Sequence, residues 1–156
     1  DRMYKGFADW APIAEVKNNP RMNIPVFGNG DVNSPEKAVE MRDKYGLDGA
    51  MIGRASIGNP WFFNEVKHYF KTKSYLPAPN ICEKIEMAKR HLEMSIKWKG
   101  EKLGVLETRR HYSNYFKGIP DFKKYKTIMV TSDYSEDIFK LFSDLKEEFL
   151  NNKVLI

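Results

Sequence analysis

Two short apolar runs, each ended by glycine and a polar residue, constrain the fold of this chain most. Ile24 to Asp31 reads I-P-V-F-G-N-G-D, and Gly49 to Arg54 reads G-A-M-I-G-R. Such runs are typical of buried parallel strands that stop at a ligand. Between them, Ser34 and Pro35 favour the start of a helix, and Gly46 favours its end. The sequence therefore predicts one βαβ unit with two glycine-containing loops at the same edge.

Phosphate is the ligand that these strand ends predict. The backbone of Gly28, Asn29 and Gly30 carries little side-chain bulk, so its amides can approach an anion closely. Gly53 offers the same access, and Arg54 adds a planar, permanently charged fork. TIM barrels often bind phosphate in the loops after two such neighbouring strands, the seventh and eighth. The alternative interpretation is a tight turn in one loop and an ordinary helix start in the other.

The composition describes a globular protein that lacks a membrane segment. The chain has 156 residues, a net charge of +5 and one cysteine, which fits a reducing, cytoplasmic compartment. No apolar run is long enough to span a membrane. Because the chain starts at Asp1 and two strands cannot close a sheet, we expect the carboxyl-terminal piece of a longer protein. Exposed strands of that kind would also let the piece self-associate.

The second half of the chain predicts helices alone. Residues 72–80, T-K-S-Y-L-P-A-P-N, form a linker between residues 1–71 and residues 81–156. Apolar residues then recur at helical spacing in four segments. These predicted helices are Ile81 to Lys99, Leu103 to Lys117, Phe122 to Met129 and Ser135 to Asn151. The expected fold class is α/β plus all-α: the last two strands of a TIM (β/α)8 barrel, followed by a small helical bundle.

Basic charge is concentrated in the first helices of this half. Lys84 to Lys126 contains 12 Lys or Arg and 5 Asp or Glu, whereas residues 127–156 contain 3 and 6. The basic residues alternate with aromatic ones, a mixture suited to phosphates and stacked bases. A solvated helix face above core aromatics is the competing interpretation. In that case Arg110 and His111 would be internal and bonded to carboxylates such as Glu107 or Glu101.

The order and spacing of several motifs resemble a bacterial tRNA-dihydrouridine synthase of the nifR3-like kind over nearly the whole chain. The motifs are M-Y-K-G at Met3, A-D-W at Ala8, I-P-V and G-N-G-D from Ile24, D-G-A-M-I-G-R-A from Asp48, G-N-P-W at Gly58, G-E at Gly100, R-R-H at Arg109 and Y-F-K-G-I-P at Tyr115. Either glycine motif alone would be weak, because many flavin barrels share it. The complete string is specific.

This resemblance implies an FMN-containing TIM barrel with a helical tRNA-binding domain. The family reduces uridine to 5,6-dihydrouridine in tRNA with NADPH as the electron source, and a cysteine acid supplies the proton. By resemblance, the FMN phosphate end is held by Gly28, Asn29, Gly30, Asp31, Gly53 and Arg54. The implied RNA surface comprises Arg2, Lys5, Arg109, Arg110, His111 and Tyr115. His111 would strengthen RNA binding as the pH falls toward 6.

The resemblance implies no catalytic or metal-binding residue within this chain. The family's cysteine lies on an earlier strand of the barrel, whereas Cys82 follows the linker and is expected to be a half-buried helical residue. The chain alone should therefore be inactive. Two other functions remain open: another FMN-dependent barrel oxidoreductase, which the basic helical half disfavours, and a stand-alone RNA-binding module with a vestigial phosphate loop.

Overall fold

The computed structural model describes residues 6–119 and 122–153. The chain divides between Pro77 and Ala78 into two compact units. This division falls inside the segment predicted as a linker. Within the described residues, no helix combines the length and the apolar character needed to cross a membrane.

The first unit contains the predicted βαβ arrangement. Its elements are α1 (Ala11–Lys17), β1 (Phe27–Asn29), α2 (Pro35–Asp43), β2 (Gly49–Met51), a short 3-10 helix (Arg54–Ser56) and α3 (Phe62–Thr72). The side chain of Ser34 accepts from the Lys37 amide and caps α2, as predicted. Trp10 occupies the N-cap position of α1, and the carboxylate of the preceding Asp9 accepts from the Ala11 amide at 3.0 Å.

The two strands pair in parallel over three residues each. Phe27 lies opposite Gly49, and Asn29 lies opposite Met51. The strand expected from Ile24 is shorter because Pro25 has no amide hydrogen. In addition, the Val26 amide donates to the Asp48 carboxylate at 2.7 Å. Lys17 and this amide bond hold the pKa of Asp48 below its ordinary value. The Asp48 amide in turn donates to the Val26 carbonyl at 3.0 Å, so backbone and side chain of Asp48 both bond Val26.

The two faces of the sheet differ in burial. Gly28 lies on the covered face, and a Cβ atom there would come within 2.5 Å of Leu47 and 2.8 Å of Met41. Leu47 and Met41 belong to a core that also contains Trp10, Val32, Ala38, Phe62 and Val66. On the opposite face, Phe27 is 66% exposed and its ring lies over Gly49. The sheet therefore has one packed face and one bare apolar face.

Within residues 78–119 and 122–153, the second unit contains four helices. They are α4 (Ile81–Lys99), α5 (Glu101–Tyr115), α6 (Lys123–Thr131) and α7 (Ser135–Lys153). The bounds of α4 are those predicted, because Asn80 and Glu83 form a reciprocal capping box at its start. Helix α5 begins two residues earlier than predicted, directly after Gly100. Helix α6 runs from Lys123 to Thr131 rather than from Phe122 to Met129.

Close packing joins these helices around a common core. Helix α4 packs against α5 and α7, and α6 packs against α5 and α7. Ile85, Leu92, Tyr112 and Phe142 are among the fully buried side chains. At the crossing of α4 and α5, a Cβ atom on Gly104 would lie 2.7 Å from the backbone of Ile96. Only glycine permits this approach.

We expect the bare sheet face to drive self-association at high protein concentration, because Ile24, Phe27 and Met51 are each more than half exposed. Phe27→Ser should shift the chain toward monomer in sedimentation velocity. Phe63→Ser, at another exposed phenylalanine on α3, should leave the distribution unchanged. A compact monomer for the unaltered chain at high concentration would contradict this expectation.

Candidate functional site

The carboxyl ends of β1 and β2 open onto one cavity. Because Asn29 is opposite Met51 in the parallel register, the loops that follow the two strands start side by side. The cavity has a volume of about 580 Å³. It is lined by Asn29, Gly30, Asp31, Val32, Asn33, Met51, Gly53, Arg54 and Ala55. Five of the six residues predicted to hold a phosphate thus line the same space.

The first loop turns sharply after Asn29. Gly30 has φ 123°, and Asp31 has φ 50°, in the left-handed region that Asp tolerates better than most residues. A Cβ atom on Gly30 would lie 2.4 Å from the Ala8 Cβ. The Trp10 indole donates to the Gly30 carbonyl at 2.9 Å. Gly30 is therefore required both for its backbone angle and for the approach of Ala8.

Asp31 and Arg54 connect the two loops. The Arg54 Nη2 atom donates to the Asp31 Oδ1 atom at 2.7 Å. The other carboxylate oxygen of Asp31 accepts from the Ala8 amide, also at 2.7 Å. The Arg54 side chain is 63% exposed, so its guanidinium remains largely in contact with solvent. Asp31 thereby fixes the position of a charged group at the cavity rim.

The glycines at the two strand ends differ in their surroundings. A Cβ atom on Gly53 would meet no other atom within 4 Å, so the space beside this backbone is open. At Gly28, by contrast, Leu47 and Met41 occupy the space that a side chain would need on the covered face of the sheet. Its missing side chain serves core packing. Gly53, rather than Gly28, is the glycine that leaves room for a ligand.

Arg109 is held within the second unit at the junction of α6 and α7. Its Nη2 atom donates to the Ser132 carbonyl at 2.8 Å and to the Asp133 carboxylate at 2.7 Å. Its Nε atom is buried and has no hydrogen-bond partner within the described residues. Only 22% of the side chain is exposed. These contacts give Arg109 a structural role in joining the helices.

Tyr115 is also internal. Its side chain is only 3% exposed, so its ring faces are covered by protein and offer no surface on which a base can stack. Burial raises the pKa of its hydroxyl to about 12. The hydroxyl lies 3.1 Å from Nδ1 of His91. The predicted stacking role therefore does not match this placement.

Arg110 and His111 occupy the boundary between core and solvent. The Arg110 Nε atom donates to the His111 Nε2 atom at 3.3 Å, and the His111 ring packs edge-on to His91 with 4.5 Å between ring centroids. Burial, His91 and Arg110 lower the pKa of His111 to about 4. Burial and Arg110 likewise lower the pKa of His91. This lowered pKa favours the neutral ring at pH 6 and does not support the predicted strengthening of RNA binding near that pH, which stays a prediction.

The carboxylates considered as partners for Arg110 and His111 are bonded elsewhere. Glu101 accepts from the amide and hydroxyl of Ser135 at 3.1 and 2.8 Å. Glu107 pairs with Lys99, and this contact lowers the pKa of Glu107. Glu101 and Glu107 thus have Ser135 and Lys99 as bonded partners.

Four further residues bear on the sequence predictions. Arg2 and Lys5, predicted for the RNA surface, lie outside the described residues. Cys82 is half-buried in α4, as its helical position indicated. Trp10, which fixes Gly30 through its indole, received no site role from the sequence. Its position in the A-D-W motif was the available signal.

Comparison with known proteins identifies related sequences. The family model described as "Dihydrouridine synthase (Dus)" matches residues 1–152. A probable tRNA-dihydrouridine synthase of Rickettsia conorii is 37% identical over 125 residues, which cover 80% of this chain and 37% of the relative. A tRNA-dihydrouridine synthase B of Pseudomonas putida is 38% identical over 124 residues, covering 80% and 36%. Another, of Xanthomonas campestris pv. campestris, is 36% identical over 136 residues, covering 87% and 40%. The chain thus spans well under half the length of these relatives.

The lowered pKa of His111 predicts a pH-dependent stability. Its folded value of about 4 lies below the ordinary value of 6.5, so the unfolded chain binds more protons between these limits. Stability should therefore fall as the pH drops from about 6.5 toward 4. We expect a loss of about 1 kcal/mol by pH 5, because the ring is only half-buried and water screens part of the shift.

Thermal unfolding between pH 7 and 5 measures this effect. His111→Gln should show a smaller decrease in Tm across that range than the unaltered chain. His68→Gln, in the first unit and outside the histidine cluster, should retain the full decrease. Equal pH dependence in the His111 variant and the unaltered chain would exclude His111 as its source.

Proposed function

The chain belongs to the dihydrouridine synthase family, and on that premise we propose that it is the carboxyl-terminal portion of a flavin-dependent tRNA-dihydrouridine synthase. The intact enzyme reduces uridine to 5,6-dihydrouridine in tRNA, with NADPH as the source of electrons. The names of the three relatives described above support this substrate.

The convergence of two strand-end loops on one cavity carries the cofactor part of the proposal. Asn29 and Gly30 from the first loop and Gly53 and Arg54 from the second hold the phosphate of FMN. The open space beside Gly53 and the exposed guanidinium of Arg54 fit a phosphate group. Asp31 adds a negative charge to the same space. Its pairing with Arg54 and with the Ala8 amide offsets that charge.

The residues of this chain bind and orient the cofactor rather than perform the proton chemistry. When bound, FMN supplies the hydride that reduces the uracil ring. Arg54 and the loop amides anchor the phosphate end, which fixes the position of the rest of the cofactor. A cysteine outside this chain acts as the acid, so the chain alone is inactive. Gly28 contributes indirectly, because it lets β1 pack closely on α2.

The first unit would form the end of a TIM barrel, with β1 and β2 as its last two strands. Its bare face, with Phe27 and Met51, would then point into the barrel, where side chains from other strands cover it. Residues 1–71 form this barrel portion, and residues 72–80 the linker. Residues 81–156 form the helical tRNA-binding domain.

Within the helical unit, we assign direct RNA contact to Arg110 and His111 and a supporting role to Arg109 and Tyr115. Arg110 is exposed and forms no ion pair within the part of the chain that the structure describes. Arg109 instead fixes the α6–α7 junction to α5, and Tyr115 packs beneath the histidines. Arg2 and Lys5 would add contacts from the barrel portion.

Removing the Arg54 side chain should weaken FMN retention in the full-length protein. A charge-assisted contact with phosphate contributes roughly 1.5 to 3 kcal/mol, so Arg54→Ala should raise the Kd for FMN about 10- to 150-fold. Flavin content after dialysis and fluorescence quenching give the measurement. The matched control is Arg21→Ala, an exposed arginine that precedes β1 and therefore lies toward the other end of the sheet. Unchanged flavin retention would remove Arg54 from the site.

The two adjacent arginines should respond differently in a tRNA-binding experiment. Arg110→Ala should reduce the slope of log K against log salt by about one, because one phosphate contact is lost. Arg109→Ala should leave this slope unchanged and lower stability by about 1 to 2 kcal/mol, because the α6–α7 junction loses its bonds. Lys140→Ala, on the acidic final helix, is the control for the slope. A normal slope for Arg110→Ala would exclude its phosphate contact.

A further inference from the structure

An exposed surface of mixed apolar and basic character lies on α4 and α5 near the turn that joins them. Its apolar members are Met94, Trp98, Leu103 and Leu106, which are 53%, 83%, 52% and 38% exposed. Its basic members are Lys97, Lys102 and Arg110. We refer to these seven residues as the hairpin surface. None of them belongs to the apolar core of the second unit.

The helical positions explain why this surface remains uncovered. On α4, the buried residues Ile85, Ala88 and Leu92 mark the core stripe. Met94 and Trp98, one turn apart, lie on the other side of that helix. Leu103 and Leu106 flank the buried pair Gly104 and Val105 on α5. The core pattern therefore leaves a second apolar stripe that needs another partner.

The hairpin surface is held rigidly in place. Gly104 brings the backbones of the two helices together beside Ile96, and Gly100 turns the chain with φ 78°. The Lys99–Glu107 pair also links the helices across this turn. These contacts fix the backbone that carries Trp98 before binding, which lowers the ordering cost of an interaction.

Charge identifies the kind of partner. Two carboxylates of α5 near the turn are already bonded, Glu107 to Lys99 and Glu101 to Ser135. Lys97 and Lys102 form no ion pair within residues 6–119 and 122–153. Exposed lysines beside an exposed indole match a polyanion that also presents flat apolar rings. Single-stranded RNA has both properties. A contact with an ordinary protein surface would remove water from these lysines without supplying a compensating negative charge.

We infer that the hairpin surface binds an unpaired segment of RNA, with a base stacked on Trp98 and phosphates beside Lys97 and Lys102. This inference rests on the proposed function, because it takes tRNA as the partner of the second unit. The stacking role is thereby assigned to the exposed indole of Trp98 and not to the buried Tyr115. It also extends the RNA surface from Arg110 along α5 to the turn.

Titration of the 156-residue chain with an unmodified tRNA transcript tests the inference. Trp98→Ala should weaken binding about 5- to 150-fold without changing the salt slope, because stacking releases no counterions. Trp98→Phe should recover most of the affinity. Lys97→Ala and Lys102→Ala should each reduce the slope by about one. Tyr134→Ala is the matched control, since this aromatic residue is 70% exposed and lies outside the hairpin surface.

Two further readouts separate stacking from a loss of structure. Quenching of tryptophan fluorescence by tRNA should disappear in Trp98→Phe although binding persists, because Trp10 and Trp61 remain in the first unit. A fully paired RNA duplex should bind more weakly than tRNA and should not distinguish Trp98→Ala from the unaltered chain. Circular dichroism of each variant should match that of the unaltered chain.

The outcomes that overturn the inference are distinct. Unchanged tRNA affinity of Trp98→Ala, with a reduced slope for Arg110→Ala, overturns the inference and leaves the proposed function intact. A loss of self-association in Trp98→Ala without a change in tRNA affinity makes the hairpin surface a protein contact and also overturns it. No tRNA binding by the unaltered chain at low salt overturns both the inference and the RNA role of this unit.

Discussion

The parallel pairing of β1 with β2 is the constraint on which the first unit depends. Only a parallel pair brings both carboxyl ends to one edge, and the register places Asn29 opposite Met51 there. The pairing requires small residues on both strands. Gly28 admits Leu47 and Met41 on the covered face, and Gly49 admits the Phe27 ring on the other. A larger residue at either glycine would displace a core side chain or the ring, and the two loops would no longer share a cavity.

Asp31 links the two loops at this shared edge. A carboxylate in a phosphate cavity is unfavourable by itself, since like charges repel. Here the carboxylate accepts one hydrogen bond from the Ala8 amide and one from Arg54, so it is satisfied by its own surroundings. The same contacts hold a guanidinium that retains most of its exposure. Asp31 therefore positions Arg54 at the edge of the cavity.

The sequence predicted local structure better than it predicted burial. The bounds of α4 followed from the helical spacing of its apolar residues after the proline-containing linker, a pattern that depends only on residues close together in the sequence. The burial of Arg109 and Tyr115 depends on partners that are distant in the sequence. Arg109 binds Ser132 and Asp133, more than twenty residues away, and Tyr115 meets His91 on another helix. A count of basic and aromatic residues could not distinguish these internal contacts from a binding surface.

The same distinction explains how adjacent arginines acquire different roles. On α5, a step of one residue rotates the side chain by about 100°. Arg109 thereby reaches the α6–α7 junction, where backbone carbonyls and a carboxylate satisfy it. Arg110 lies beside His111, and its Nε atom donates a hydrogen bond to the His111 ring. Burial lowers the pKa of that ring and so favours its neutral form. Because the ring accepts this bond, protonating His111 would set two cations against each other. Burial, His91 and Arg110 together lower the pKa of His111. The contact thus leaves one permanent positive charge, that of Arg110, at an exposed position of α5.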